Sequence, residues 1–149
     1  MAVRRDDPYA AFNYKVTATV KSGVEVRGAF SDVSGLSTEV TYADYREGTE
    51  PNHVRKIPTL YKVGDITLKR GVIGAVELYQ WMDQVRKGNQ DAKATVVIEL
   101  RAENGTDVVG SWTLSNARPQ KWTGPTLGAK STDVAMEELV LVCEDMVFE

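Results

Sequence analysis

Apolar and polar residues alternate with a period of two along most of this chain of 149 residues. In residues 14–21, apolar side chains occupy every second position, and lysine or threonine occupies the others. The same alternation recurs in residues 24–30, 65–70, 94–100 and 108–114. This period is typical of strands that are buried on one face. The chain is therefore predicted to be mainly β.

One segment, residues 75–87, has the period of an amphipathic helix instead. Its apolar residues follow the i, i+3, i+4, i+7 spacing, and polar residues cover the other side. Gly88 follows at the position where many helices end with a left-handed residue. The apolar positions are Leu78, Trp81, Met82 and Val85.

Residues 94–100 and 108–114 are predicted to form a hairpin. A two-residue turn would place apolar residues opposite polar ones. A three-residue loop over 103–105 pairs position 100 with 108 and 96 with 112, and it brings the apolar faces together. Gly105 then takes the left-handed position that such loops require.

The remaining segments have less regular patterns. Residues 36–45 are rich in β-formers but polar on both faces, and 46–56 are charged, which predicts an exposed loop. Residues 117–132 contain several prolines and glycines and are predicted to be irregular. Residues 134–148 are apolar on both faces in the middle, which is typical of a strand that needs cover on both sides.

These elements predict a single domain over residues 1–149. We expect six to seven strands in an antiparallel β-barrel or sandwich, with one α-helix packed on it. Hydrophobic residues make up 42% and charged residues 26% of the chain, and the net charge is −3. This charge balance offers no overall basic excess for holding nucleic acid. No signal peptide is expected in residues 1–12, and no apolar run is long enough for a membrane helix.

The sequence offers little catalytic chemistry. It has one histidine, His53, and one cysteine, Cys143, which is too few for a zinc site, and an internal disulfide is excluded. Residues 124–131 resemble a phosphate-binding loop only superficially, because the glycine spacing is too short and Ala129 precedes the lysine. Trp81 and Trp112 fall on apolar faces, which leaves Trp122 as a candidate contact residue.

Four segments, taken in order, resemble one family over nearly the whole chain. They are 30–36 (FSDVSGL), 45–48 (YREG), 55–71 (RKIPTLYKVGDITLKRG) and 112–122 (WTLSNARPQKW). Residues 7–9 (DPY) with Phe12, and 135–144 (AMEELVLVCE), fit as well. The set is similar to the tail-tube proteins of contractile phages and phage-tail-like injection systems, which are related in fold to the Hcp ring protein of type VI secretion. Thr59, in place of glycine, and Cys143, in place of a polar residue, depart from that pattern.

The resemblance implies a structural protein with no catalytic, cofactor-binding or metal site. Such proteins form six-membered rings that stack into a hollow tube inside a contractile sheath. The expected partners are copies of this chain, a sheath protein, baseplate and tube-terminating proteins, and cargo in the lumen, with nucleic acid as cargo only in a phage. Residues 1–12 would be an N-terminal arm and 46–61 an extended charged inter-subunit loop. The candidate contact residues are Arg46, Glu47, Glu50, His53, Arg55, Lys56, Trp122, Val140 and Val142.

Alternative functions remain at this stage. A secreted ring of the Hcp type that carries effectors would share the fold, and a monomeric ligand-binding barrel would show a pocket and no self-assembly. A small hydrolase lacks a site. The resemblance further implies synthesis in a bacterial cytoplasm and assembly into a tail or tail-like particle. The sequence does not distinguish a main tube subunit from an initiating ring.

Overall fold

The computed structural model describes residues 2, 5–26, 30–49, 52–74, 76–130 and 132–149. Within these ranges the chain forms ten β-strands and one α-helix. In chain order the elements are β1 (Tyr14–Val20), β2 (Glu25–Val26), β3 (Asp32–Ser34), β4 (Thr38–Tyr45), β5 (Arg55–Val63), β6 (Ile66–Gly71), α1 (Glu77–Arg86), β7 (Ala94–Arg101), β8 (Val108–Thr123), β9 (Met136–Val142) and β10 (Asp145–Phe148).

Strand β8 is 16 residues long and joins two antiparallel layers. Its first half pairs with β7 along one edge and with β10 along the other, and β7 pairs in turn with β1. Its second half pairs with β9, which continues to β6 and β3. We call β2, β1, β7, the first half of β8 and β10 the first layer, and the second half of β8, β9, β6 and β3 the second layer. The predicted mainly β fold is confirmed, as an open sandwich and not a closed barrel.

The core lies between the two layers and contains the apolar faces that the alternation predicted. In β1 every second residue is buried, and β6, β7 and β9 repeat this pattern. Most polar positions of the same strands point outward, and the exceptions are Arg70 on β6 and Glu137 on β9, which are buried. Side chains at most 3% exposed in this core include Ile66, Leu68, Val96, Ile98, Leu114, Leu139 and Leu141.

Helix α1 packs against β8 and β2. Trp81 is fully buried on its apolar face and its indole Nε1 donates a hydrogen bond of 2.7 Å to the Ala92 carbonyl, so the polar atom of this core residue is satisfied. The helix ends at Arg86, and Gly88 follows with the predicted left-handed conformation, a φ of 82°. The predicted helix at 75–87 is thus confirmed as α1, although Ala75 lies outside the described residues.

The hairpin of β7 and β8 forms, but the predicted register is wrong by two residues. Leu100 pairs with Gly110, and the register shifts by one residue just beyond this pair. The Ala102 amide donates to the Asp107 carbonyl at 2.8 Å, which closes a loop one residue longer than predicted. Gly105 has the expected left-handed φ, of 77°. The bulge and the longer loop together shift the pairing by two, so the apolar faces still coincide.

Two segments predicted as loops contain strands. The predicted loop at 46–61 is wrong beyond residue 54, because β5 begins at Arg55 and pairs with β4. The irregular stretch predicted over 117–132 is wrong up to Thr123, where β8 ends. The first segment was predicted as a loop from its charged composition and the second from its prolines and glycines, yet β8 continues past Pro119, because proline is compatible with a bulge. The predicted strand at 24–30 is short, and residues 27–29 lie outside the described residues.

The C-terminal segment, predicted as one strand over 134–148, bends at residues 143–144 into two strands. β9 pairs with the second half of β8 and β10 with the first half. Leu139 and Leu141 face the core, while Val140 and Val142 point outward and are half-buried to exposed. Both faces of β9 carry apolar residues, but the core of the subunit covers only one of these faces.

A buried arginine connects the second layer to the helix. Arg70 on β6 is 1% exposed and forms ion pairs with Glu137 on β9 and, at 2.5 Å, with Glu77 at the start of α1. These carboxylates raise the pKa of Arg70 against the opposing effect of burial. For Glu77, the bond to Arg70 outweighs desolvation and lowers the pKa. The carboxylates keep the Arg70 charge paired, and an unpaired charge in the interior would be strongly destabilising.

Candidate assembly interface

The described part of the chain holds no catalytic or metal-binding constellation. No three or more of its His, Cys, Asp and Glu residues come together in a group that could bind a metal ion. His53 lies beyond the tip of β4 and Cys143 follows β9, and burial raises the pKa of the Cys143 thiol. Such a thiol is a poor nucleophile. Among the described residues, no helix is long and apolar enough to cross a membrane.

The most unusual feature is the ribbon formed by β4 and β5. These strands form a separate two-stranded sheet, and all of their residues except Val63 are exposed. The ribbon and its tip carry seven apolar side chains that are each more than 40% exposed. An isolated two-stranded ribbon is only marginally stable in water. The exposed apolar side chains are Val40, Tyr42, Tyr45, Val54, Ile57, Leu60 and Tyr61.

The base of this ribbon is fastened closely to the sandwich. Gly35 has a φ of 86°, and a Cβ atom there would lie 2.1 Å from the Asp65 carbonyl oxygen. Only glycine fits two backbones this close together. Gly64 lies opposite, where an added Cβ would meet the Ser37 hydroxyl at 2.1 Å, and its amide donates to the Ser37 carbonyl at 2.9 Å. The ribbon therefore leaves the sandwich in a defined direction.

The tip of the ribbon, residues 46–54, carries the predicted contact residues. Glu47 lies 3.9 Å from Arg55, at the start of β5, and Lys56 pairs with Asp44 across the ribbon. All four side chains are exposed, so these pairs contribute little to stability. Arg46 and His53 are exposed at the same tip. Glu50 lies outside the described residues.

The other predicted contact residues lie elsewhere. Trp122 is on β8, not in a loop, and its ring meets Tyr79 of α1 edge-on with centroids 5.3 Å apart. Its indole Nε1 is buried and has no hydrogen-bond partner in the described structure, while the residue as a whole is half-buried. Val140 and Val142 lie on the outer face of the second layer, with Val142 36% exposed. The structure thus brings together the ribbon residues but not Trp122 or the β9 valines.

The N-terminal arm, expected over residues 1–12, makes a contact that the sequence patterns did not reveal. Arg5 forms a bidentate ion pair with Glu103 in the β7–β8 loop, at 2.6 and 3.0 Å. The same guanidinium donates to the carbonyls of Asp7 and Pro8 and lies over the Tyr9 ring at 3.9 Å. The bond to Arg5 lowers the pKa of Glu103 to about 2. Opposite charges separated by 98 residues give no local signal in the sequence.

A protein-family comparison matches residues 10–147 of this chain to the family described as T4-like virus tail tube protein gp19. The match includes both layers, the helix and the ribbon. The chain belongs to the tail tube family. It is therefore a structural tube protein and not an enzyme, in agreement with the resemblance of its sequence segments. Comparison with curated proteins gives no match.

Solved structures extend this family assignment. The tail tube chain is similar to one in the sheath-tube complex of an extracellular contractile injection system, PVC, with a TM-score of 0.83 and 28% identity over 97% of this chain and 93% of that one. It is also similar to a chain of the anti-feeding prophage (AFP) baseplate, with a TM-score of 0.84 and 29% identity over 97% of both chains. Hcp1 from Flavobacterium johnsoniae, at 14% identity and a TM-score of 0.54, covering 89% of this chain and 93% of that one, shares the fold alone.

Proposed function

We propose that this tail tube protein is the inner-tube subunit of a contractile injection particle, in which six-membered rings stack into a hollow tube. The observation that carries the proposal is the β4–β5 ribbon, whose seven apolar side chains each remain more than 40% exposed in the described structure of the subunit. Exposed apolar surface of this extent marks a protein contact. The family membership makes another copy of the chain the natural partner.

The ribbon carries enough apolar surface to matter for assembly, although not to hold copies together alone. Covering one half-exposed apolar side chain contributes roughly 1 kcal/mol, so the seven together contribute about 7 kcal/mol. Bringing two proteins together costs about 4–15 kcal/mol. We therefore expect the ribbon to act with further contacts, such as pairing between the open strand edges of neighbouring copies.

A contact between the ribbon of one copy and a different surface of the next copy favours a filament. A ribbon that packs on a different surface of the next copy makes a heterologous contact, which repeats without closing when the copies are related by a translation along an axis. Charges of both signs at the tip, including Glu47 and Arg55, would define which surface is met and in what orientation. Ring-to-ring stacking is the arrangement that fits both properties.

The relatives indicate which other proteins take part. The similar chains occur in PVC structures of a sheath-tube complex and of a sheath/tube terminator, and in the AFP cap and baseplate structures. By extension, this subunit contacts a sheath along the tube and terminating or baseplate proteins at its ends. Sheath contraction would then drive the tube, with cargo in its lumen, through a target envelope.

The first test is negative-stain electron microscopy of the purified protein, combined with light scattering for mass. Rings with six-fold symmetry, or stacked tubes, would support the proposal. A uniform monomer of 16.4 kDa at every concentration, including after addition of preformed tube fragments as nuclei, would contradict it. A single ring that never stacks would point instead to a stand-alone ring of the Hcp type.

A further inference from the structure

The loop that joins β7 to β8 contains Asn104 followed directly by Gly105, a pair that the proposed function does not use. Asn104 is the only asparagine in the chain that a glycine follows, and it is exposed to water. Asparagine is among the residues that change chemically with heat and time. A following glycine favours this change, because its backbone nitrogen has no neighbouring Cβ to hinder its approach to the asparagine side chain.

The chemical change is a deamidation in two steps. The Gly105 backbone nitrogen gives its proton to water or hydroxide and forms a bond to Cγ of Asn104, while the bond from Cγ to Nδ2 breaks and ammonia leaves after taking a proton from water. The resulting succinimide ring then adds water at one of its two carbonyl carbons and opens to aspartate or isoaspartate. Nothing is oxidised or reduced. Ring closure requires that the Gly105 nitrogen be free to reach Cγ of Asn104.

In the folded loop, hydrogen bonds hold the groups that would react. The Gly105 amide donates to the Ala102 carbonyl at 2.8 Å. In the Asn104 side chain, Nδ2 donates to the Asp107 carboxylate at 2.8 Å. Its Oδ1 accepts from the backbone amides of Thr106 and Asp107, at 3.0 and 3.3 Å. The attacking nitrogen and the side-chain amide therefore have different partners, and the reaction requires local opening of the loop.

The N-terminal segment fastens the same loop from outside. Arg5 donates two hydrogen bonds to the Glu103 carboxylate, and Glu103 immediately precedes the asparagine. The Asn13 side chain donates to the Ala102 carbonyl at 3.2 Å. This is the same oxygen that accepts the Gly105 amide. Contacts from residues 5 and 13 thus restrain the turn at the positions that must move before the ring can close.

The contact between the arm and the loop is weak enough to open in the folded protein. The side chains of Arg5 and Glu103 are 36% and 46% exposed, and exposed ion pairs contribute little to stability. When a loop opens and closes much faster than a reaction takes place in it, the reaction rate follows the fraction of time that the loop is open. Loss of the Arg5 contact should raise this fraction, and the rate of deamidation with it.

We propose that Asn104 is a latent deamidation site, which the folded loop protects and which becomes reactive when Arg5 leaves Glu103. All of these contacts lie within one subunit, so the site exists whether or not the chain forms tubes. Isoaspartate would route the backbone through the former side chain, so Oδ1 could no longer accept from Thr106 and Asp107. The modified loop could not form the same turn again, which makes the change irreversible.

Peptide mapping by mass spectrometry, during incubation of the unassembled protein at mildly alkaline pH, tests this site. Deamidation is measured from the gain in mass when oxygen replaces nitrogen, and isoaspartate from enzymatic methylation. Arg5→Gln removes the contact with Glu103 and leaves the sequence around Asn104 unchanged. Arg46→Gln, at the exposed tip of the ribbon, makes the same change of charge and is the matched control. Wild-type protein in guanidinium chloride gives the rate for the open chain.

We expect Asn104 to react slowest in folded wild-type protein and in Arg46→Gln, and fastest in guanidinium chloride. In Arg5→Gln the rate should be about two to five times that of folded wild type, the range that an exposed ion pair gives. Folded wild type that reacts as fast as the denatured chain would show that the loop gives no protection. Equal rates in Arg5→Gln and wild type would remove the arm from control of the site. Modification that accumulates at another asparagine instead would overturn the assignment.

Discussion

Gly35 shows how a single residue fixes the direction of the ribbon. Its left-handed φ of 86° and the Asp65 carbonyl oxygen, 2.1 Å from an added Cβ, both exclude a side chain. We expect Gly35→Ala to lower the free energy of unfolding by about 2–4 kcal/mol, since both strain and a backbone collision must be relieved. Chemical denaturation of the unassembled protein measures this.

Gly23→Ala is the matched control. Gly23 has a φ of 90°, but nothing lies within 4 Å of an added Cβ. Gly23→Ala should lower the free energy of unfolding only by the cost of placing alanine in a left-handed conformation, roughly 1–2 kcal/mol. If both variants lose the same free energy of unfolding, the contact between residue 35 and the Asp65 carbonyl relaxes without cost.

The pairing of Arg5 with Glu103 predicts a pH dependence at the N-terminal arm. The pKa of Glu103 is lowered from 4.5 to about 2 in the folded chain. The bond therefore contributes to stability fully above pH 4.5, and the contribution is lost as the pH falls toward 2. We expect Glu103→Gln to increase amide exchange in residues 5–10 at pH 7, with a difference from wild type that shrinks below pH 4.5.

The exposed Glu39 on β4 provides the control for this measurement. Glu39→Gln makes the same change of charge and should leave exchange in the arm unchanged at every pH. An arm that exchanges equally in wild type and Glu103→Gln at pH 7 would show that Arg5 does not hold it in solution.

At the scale of elements, the ribbon should contribute to assembly and little to the stability of the subunit. Leu60 is 73% exposed on β5, so Leu60→Ser should change the free energy of unfolding by less than about 0.5 kcal/mol. It should nevertheless lower the amount of tube pelleted by ultracentrifugation, because an apolar contact between copies is lost.

Leu127→Ser tests whether any exposed leucine gives this result. Leu127 is 82% exposed in the loop beside the second layer, outside the ribbon. Its substitution should leave tube yield closer to wild type than Leu60→Ser does. A similar yield from both variants would remove the ribbon from the contact.

Elements with a strong local period were predictable, and those shaped by distant contacts were not. The helix and the half-buried strands follow directly from residue spacing, as Trp81 and the alternation in β1 show. β5 escaped prediction because both of its faces are exposed, so it lacks the alternation that marks a strand. The register of β7 and β8 depends on a bulge beyond Leu100, which no residue type specifies.

The candidate site was predictable in part for the same reason. Charge and composition located the ribbon tip around Glu47 and Arg55, because exposed charged segments are recognisable from sequence alone. Trp122 was placed wrongly, since only the fold shows that β8 continues past Pro119 and brings the ring to Tyr79. The Arg5–Glu103 contact joins residues that only the complete fold brings together.

At the scale of the whole molecule, the two faces of β9 have different roles, since one packs in the core and the other is available for assembly. Leu139 is fully buried between the layers, whereas its neighbour Val140 points outward beside Thr67 and Lys121. Val140 and Val142 are two apolar residues on the same strand that the core does not cover, and we propose that another copy covers them. The same strand therefore offers adjacent positions at which an identical substitution should have different consequences.

We expect Val140→Asp to give a folded subunit that forms few or no tubes, because the outward carboxylate stays hydrated in the monomer but would be buried in the contact. Leu139→Asp should abolish folding, since the charge would enter the core. Val140→Thr, with nearly the same shape, should retain most assembly. Circular dichroism reports folding, and electron microscopy reports tubes. Normal tubes from Val140→Asp would mean that this face stays exposed between copies in the bare tube, which would leave its cover to a different protein such as the sheath.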